Sequence, residues 1–425
     1  MRIPRALGIA LSLAATALAV SACGGTTDAD LLAGTQVRAS PAALPSRELP
    51  FALASQPMSA TDVAALPRPS VAGAGTLGDY DAPAVMYGVW DPRRGVALRA
   101  FGLSDRGARV PANPNMSFRI ASITKTFTAT AVLLLVQDGK VRLDAPVARY
   151  VGALVDPLPG GSTATVRRLL NMTSGFPDYG GRGDGPFATS VLTPHRVWTP
   201  TQVVGAAARY APDQPGAFNY SNTNYAILGE LVARVSGMPY GTFVLRRILR
   251  PLGLDHTTIP SPENTPRVAM RGYLDATWAS FSPPPPPQVR AAGRAGEDVT
   301  DWSTSSAGAA ADGVSTLSDL ARWAASDFGN ALLRPRLRAE RMRRVPSGHL
   351  LRGSSYGLGL QIERGWHWHV GEIFGWESLA MSNPRTGQVV VVTRNACCGS
   401  AFENYLVARE AMPALAPVVD PVYRR

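Results

Sequence analysis

Lysine is nearly absent from this chain: of 42 basic residues only two are lysines, Lys125 and Lys140. Arginine serves surface and ion-pair roles as well or better, and only lysine loses its proton near neutral pH when desolvated. Cysteine is scarce too, three in 425 residues, which excludes a disulfide-stapled scaffold. The five histidines are not gathered with cysteines at zinc-ligand spacing, so no metal is expected. The net charge of +11 comes from scattered arginines with no basic block longer than an RR doublet and no interleaved aromatics. No nucleic-acid partner is expected. No G-x-S-x-G occurs, which argues against an α/β-hydrolase nucleophile. With 17% charged and 45% hydrophobic residues, the chain can bury a large core.

What is present begins at the N-terminus. "MRIPR" is a basic n-region, and "ALGIALSLAATALAV" is an apolar h-region too short for a stable membrane span. "VSAC" then places Cys23 at a small-residue cut site, the pattern of a bacterial lipobox, where the cysteine becomes the acylated first residue. The expectation is an exported protein anchored by lipid at Cys23 to the outer face of the cytoplasmic membrane. Cys397 and Cys398 are adjacent and on a strand would point to opposite faces, so they read as two small apolar residues beside a sheet.

Residues 23–78 read as a flexible tether rich in Ala, Ser, Thr, Pro and Gly, with a short helix over "ATDVAAL". "APAVMYGVWDPRRGVALRAFG" is a hairpin signal. "SITKTFTATAVLLLVQDGKV" is a long buried helix closed by glycine, "TVRRLLNMTSGFPDY" an amphipathic helix breaking at Ser174–Gly175, and "SNTNYAILGELVARVSG" a periodic helix with a glycine stop. "TLSDLARWAASDF" opens with a Ser/Thr cap. The run from Pro283 to Asp298 is a proline-rich surface excursion. Four strand candidates follow between Tyr356 and Ala396, and a helix over 401–415 closes the pattern. Strands at both ends with helices between predict an α/β (α+β) domain. Its antiparallel sheet comes from 79–121 and 350–415, flanked by helices, with a mainly helical region inserted over 122–349. The seam is a natural cleft.

In "SITK", Ser122 and Lys125 stand at i and i+3 on one helix face, ~5–6 Å apart at Cβ. Ser122 lies at the helix N-terminus, where free N–H groups favour a developing anion. A buried Lys125 could take the serine proton. The scarcity of lysine makes a chance match improbable.

The chain resembles the serine β-lactamase and penicillin-binding-protein-like superfamily, in its class C β-lactamase, D,D-peptidase and esterase branch. The resemblance runs from about Ala82 to about Leu415 and is carried by "FRIASITKTFTA", "LLNMTSGFPDY", "PGAFNYSNTNYAILGELV", "GVSTLSDLARW", "YGLGLQI" and "HVGEIFGW". It implies a β-lactamase/transpeptidase-like fold over 79–415, with a tail over 416–425. It also implies Ser122 as nucleophile, and Tyr220 as a proton relay with Lys125, its phenol acidified by that neighbour. Asn222 would hold both Lys125 and the substrate carbonyl. His369 and Gly371 fall where the superfamily has Lys/His-Thr/Ser-Gly, Gly371 allowing close backbone approach to substrate. The N–H of Glu372 is expected to complete an oxyanion hole with that of Ser122.

Two departures stand out. Val370 lacks the hydroxyl that binds a substrate carboxylate in the family, and Glu372 adds a negative side chain, so tight binding of penicillins or of a terminal D-alanine carboxylate is not expected. "FPDY" is read as structural framing of the pocket, and Trp366, Trp368 and Trp376 as core. His367 and His369 share a strand face with no third ligand in view. The expectation is a lipid-anchored serine hydrolase forming an acyl-enzyme on an ester or amide of small-molecule or cell-envelope origin, with no cofactor. The alternative is a binding or sensing protein of the same fold without turnover. Oligomeric state is not legible.

Overall fold

The segment "AVMYGVWD" forms β1 (Ala84–Asp91) and turns at 92–94 into β2 (Gly95–Asp105), the hairpin that its β-branched runs and proline–glycine turn dictate. The computed structural model describes residues 53–72, 81–260, 268–279, 281–347 and 354–397. The signal segment, Cys23, the helix expected over 401–415 and the tail lie outside the described residues.

Among the described residues the sheet holds nine strands. β3 (Val110–Pro111) lies at one edge; β4 (Val345–Pro346), β5 (Ser355–Tyr356), β6 (Gln361–Glu363), β7 (Trp366–Ile373), β8 (Trp376–Asn383) and β9 (Gln388–Arg394) complete it in the order β3-β2-β1-β9-β8-β7-β6-β5-β4. The chain's ends meet at β1 and β9, antiparallel, with Val85 opposite Arg394 and Val89 opposite Val390. Side chains alternate across the strands. On β1, Val85, Tyr87 and Val89 face one apolar cluster, while Ala84, Met86 and Trp90 face the main core. Both faces are covered.

Part of the expected tether does the covering. Residues 53–72 pack on the sheet: Met58, Val63 and Leu66 are buried beside Tyr87 and Phe101, and the Tyr87 hydroxyl donates to Pro67 O at 2.7 Å. Their helix is α1 (Ala60–Ala64), capped by Ser59. Apolar residues spaced through an otherwise polar, proline-rich run gave too weak a period to reveal this packing. The adjacent cysteines need correction as well. Cys397 is disulfide-bonded, not a lone small apolar side chain.

On the core side lies α2 (Thr124–Gln137), buried at every position from Thr124 to Leu135 and ended at Gly139, whose φ of +75° closes the helix. Buried on every side, it lies at the centre of the molecule. Its threonines satisfy their buried hydroxyls on nearby carbonyls, Thr124 on Ala121 O at 2.6 Å and Thr126 on Ile123 O at 2.7 Å. Against it pack α3 (Asn222–Ser236), stopped by left-handed Gly237, and α4 (Leu317–Ala325), capped by Thr316. The expected helix at "TVRRLLNMTSG" is one short segment, Val166–Leu170, which ends before Met172 at φ +62°. Part of the proline-rich excursion is helical, over Pro287–Ala292, with Val289 buried against Trp278. Trp366, Trp368 and Trp376 are all core.

Candidate active site

Ser122 stands in the 3₁₀ turn Ala121–Ile123 that leads directly into α2. The residue before it, Ala121, has φ +47°, a left-handed conformation that an alanine adopts only when its surroundings enforce it. The enforcement comes from β7. A Cβ on Gly371 would meet Ile120 O at 2.3 Å and Ala121 Cβ at 2.9 Å, and Ser378 on β8 donates to Ile120 O at 2.8 Å. Gly371 is thus required for the strand to approach the serine turn, a role that the motif alone did not reveal.

One helical turn on, Lys125 is fully buried. Its Nζ donates to Ser122 Oγ at 2.9 Å, Asn222 Oδ1 at 2.7 Å and Ala310 O at 3.0 Å, and lies 4.8 Å from the centre of the Tyr220 ring. Burial pushes its pKa down to about 7, the charge of Asp178 opposing the fall only in part. The contacts also orient the amine. Neither Asn222 Oδ1 nor Ala310 O can donate, so a neutral amine spends both N–H groups on them. Its lone pair is left for the Ser122 hydroxyl.

Asp178 decides which way Asn222 faces. Its Oδ1 accepts from Asn222 Nδ2 at 3.1 Å and from the Asn222 backbone N–H at 2.8 Å, and the N–H groups of Gly180 and Gly181 hold the same carboxylate. The amide nitrogen therefore points to Asp178 and the oxygen to Lys125. Sequence reading missed Asp178 and Ala310. The aspartate stood in a loop assigned a framing role, and a carbonyl leaves no trace in residue type.

Tyr220 is hydrogen-bonded to Ser122, yet burial holds its phenol well above the ordinary value, with the charges of Asp178 and Glu372 adding to the shift. The expected acidified phenol is not found, because desolvation outweighs the hydrogen bond with Ser122 that lowers it. His369 is wholly buried, with Nε2 3.1 Å from the Tyr356 hydroxyl and its ring 6.4 Å from that of Tyr220. It backs the tyrosine and presents no surface. His367 meets Asp327 instead, Nδ1 to Oδ1 at 2.5 Å, so the two histidines serve separate partners. On the opposite face of β7, Val370 packs towards Trp368 and Glu372 is exposed. Desolvation and the charges of Glu377 and Asp275 raise the Glu372 carboxyl.

A sheet joined from both chain ends, a central helix opening on Ser-x-x-Lys and a Tyr-x-Asn entering the next helix define a β-lactamase/transpeptidase-like architecture. The beta-lactamase family model matches residues 63–400, and the chain belongs to that family. It is 32% identical over 161 residues to a putative penicillin-binding protein, PbpX, of Bacillus subtilis, covering 38% of this chain and 37% of that protein. The match thus spans little more than a third of that relative's length. The D-amino acid amidase of Ochrobactrum anthropi SV3 superposes with a TM-score of 0.67 at 28% identity, covering 79% of this chain and 95% of the amidase. A D-stereospecific amidohydrolase from a Streptomyces species gives 0.64 at 28% identity, covering 78% and 94%.

Proposed function

We propose that this protein is a serine hydrolase that forms an acyl-enzyme on Ser122 from an amide or ester. The observation that carries the reading is the confinement of Lys125, whose neutral amine can direct its lone pair only at Ser122 Oγ. Ser122 attacks the carbonyl carbon while its proton passes to Lys125 Nζ. The N–H groups of Ser122 and Glu372 are the expected oxyanion donors. Tyr220, kept protonated by burial, hands its proton to the departing nitrogen or oxygen as the tetrahedral intermediate collapses, and is reprotonated by Lys125 Nζ, which carries the proton taken from Ser122. Water then releases the acyl group by the reverse relay.

The substrate class follows from the rim. Val370 offers no hydroxyl to a substrate carboxylate, which disfavours a carboxylate beside the scissile bond. An amino-acid amide or ester fits better than a penicillin. The two structural neighbours, a D-stereospecific amidohydrolase and a D-amino acid amidase, agree with that choice. The lipid anchor at Cys23 belongs to the same proposal. It rests on the lipobox pattern, and the disulfide at Cys397 suits an oxidising compartment.

Ser122→Ala should abolish turnover of every amide or ester that the wild type cleaves, a loss of ~10³–10⁶ in kcat. A fluorophosphonate probe should label the wild type at Ser122 alone. Retained turnover with labelling elsewhere would refute the assignment.

A further inference from the structure

The C-terminal end of α2 opens on a groove of about 870 Å³, at the far end of the helix from Ser122 and roughly 20 Å from it at about 1.5 Å per residue. Its lining is charged to one side. Six arginines and two carboxylates face it, three to one, where the whole chain carries 42 basic residues against 31 acidic. The carboxylates are already taken. Asp144 and Glu340 both bind Arg167, at 2.6 and 2.8 Å, and Glu340 also meets Arg343 at 3.4 Å. Arg142, Arg149, Arg334 and Arg336 are exposed, and none forms a salt bridge among the described residues. Asp138, whose carboxyl responds to Arg334, is itself paired with Arg247 at 2.8 Å. The fold thus gathers four uncompensated cations from two distant parts of the chain, against their mutual repulsion.

The character of the groove limits its partner. The four guanidiniums are hydrated and spread round a rim, and Gln137, the amide among them, spends both ends on the Arg334 N–H and Leu332 O. Exposed cations hold a small anion weakly, because salt screens each contact. Facing an extended anionic surface they add, each contributing a similar increment within a Debye length. Val136 and Leu337, both half-buried, leave apolar surface between the arginines. That suits the glycerol and first acyl carbons beneath a lipid phosphate and gives nothing to a fully hydrophilic polyanion. Among the described residues no aromatic side chain lines the groove, so a nucleic-acid base has nothing to stack on. We infer that this groove is a docking face for a membrane surface rich in anionic phospholipid. Docked there, the protein would hold its serine turn away from the bilayer, toward substrates in the aqueous phase. The inference uses neither the acyl-enzyme reading nor the lipid anchor.

The chain from residue 24 onward holds every described residue and no acylated cysteine. It should co-float with vesicles of phosphatidylglycerol and phosphatidylcholine but not with phosphatidylcholine alone. Binding should vanish at about 1 M salt, where the screening length falls to about 3 Å. Arg142→Gln, Arg149→Gln, Arg334→Gln and Arg336→Gln together should weaken it roughly fivefold for each arginine, with fluorophosphonate labelling of Ser122 unchanged. Arg68→Gln, Arg93→Gln, Arg290→Gln and Arg294→Gln remove the same charge from exposed positions on other elements, and together should cost no more than about fivefold. The scarcity of lysine gives a readout without substitution. Lys140 is exposed and acts, with Arg334, on Asp138, whereas Lys125 is buried. Acetylation of Lys140 by N-hydroxysuccinimidyl acetate, read by mass spectrometry, should slow severalfold on the anionic vesicles. Displacement by inorganic phosphate at constant ionic strength would make this a small-anion site, and binding of soluble polyphosphate without vesicle binding would make it a polyanion groove. Either result overturns the inference, as would equal loss in the two arginine variants, equal binding to phosphatidylcholine alone, or unchanged Lys140 acetylation.

Discussion

At the scale of single residues, the site is organised around one proton on Lys125. Folding favours its neutral form, with a pKa of about 7 against the ordinary 10.5. The acid limb of the pH–rate profile should therefore rise through about pH 7 as the amine loses its proton. The same shift has a cost in stability. The unfolded chain binds the proton more tightly, so the Lys125 contribution to stability falls as pH drops from 10.5 towards about 7 and stays low below that. Lys125→Met should lose turnover yet raise the melting temperature at pH 7, read by calorimetry. A lower melting temperature would show that the three hydrogen bonds outweigh the desolvation. Lys125→Arg keeps a charge that cannot be released, and should be nearly as inactive as Met. Turnover within about tenfold of wild type, ~1.4 kcal/mol in the barrier, would remove Lys125 as the base.

Asp178 holds Asn222 by its amide and its backbone N–H, and is expected to act through it. Asp178→Asn keeps the volume but faces donors with an amide nitrogen, freeing Asn222 to rotate. We expect a ~10–10²-fold fall in kcat, the scale lost when a positioning contact fails. It also removes a charge that raises the Lys125 pKa, so the acid limb should move to lower pH. An unchanged limb with lowered kcat would leave Asp178 a merely structural residue.

At the scale of elements, the site depends on β7 lying against the serine turn. Gly371→Ala would drive a methyl to 2.3 Å from Ile120 O, backbone that cannot give way cheaply. Strand and turn must separate, and we expect a loss of about 1–3 kcal/mol of stability together with most of the activity. Full activity at unchanged melting temperature would mean that the approach is not needed. Element periods were legible where one pattern dominated: the hairpin, the apolar run of α2, and the Thr316 cap each stand where the sequence puts them. The segment at 166–172 was not, because its apolar spacing continues past Leu170 while left-handed Met172 breaks the helix. That conformation is set by contacts from elsewhere, among them the Asn219 N–H on Met172 O at 2.8 Å.

At the scale of the whole molecule, residues 53–72 belong to the domain. Met58, Val63 and Leu66 seal the outer sheet face over Val85, Tyr87 and Phe101. A chain beginning at residue 73 should expose that cluster and melt several degrees below one beginning at 53, whereas equal melting would restore the tether reading. The anchor is tested separately. Cys23→Ser should release the protein from membranes or leave an unprocessed precursor, and a processed mutant still in the membrane fraction would end the lipoprotein reading.

The sequence by itself determined the family, the two-ended sheet and the serine–lysine pair, because these rest on local spacing and on residue types kept rare elsewhere in the chain. Lysine's rarity made Lys125 conspicuous before any neighbour was known. Only the tertiary structure decided what state that lysine is in. Its depressed pKa comes from burial, its direction from Ala310 and Asn222, and the rotation of Asn222 from Asp178, residues 97 positions and more away along the chain or hidden in a loop. Desolvation likewise reversed the expected acidity of Tyr220 and closed His369 off from the cleft. Spacing along a chain fixes which groups can share a helix face, but solvent exclusion is a property of everything packed around them.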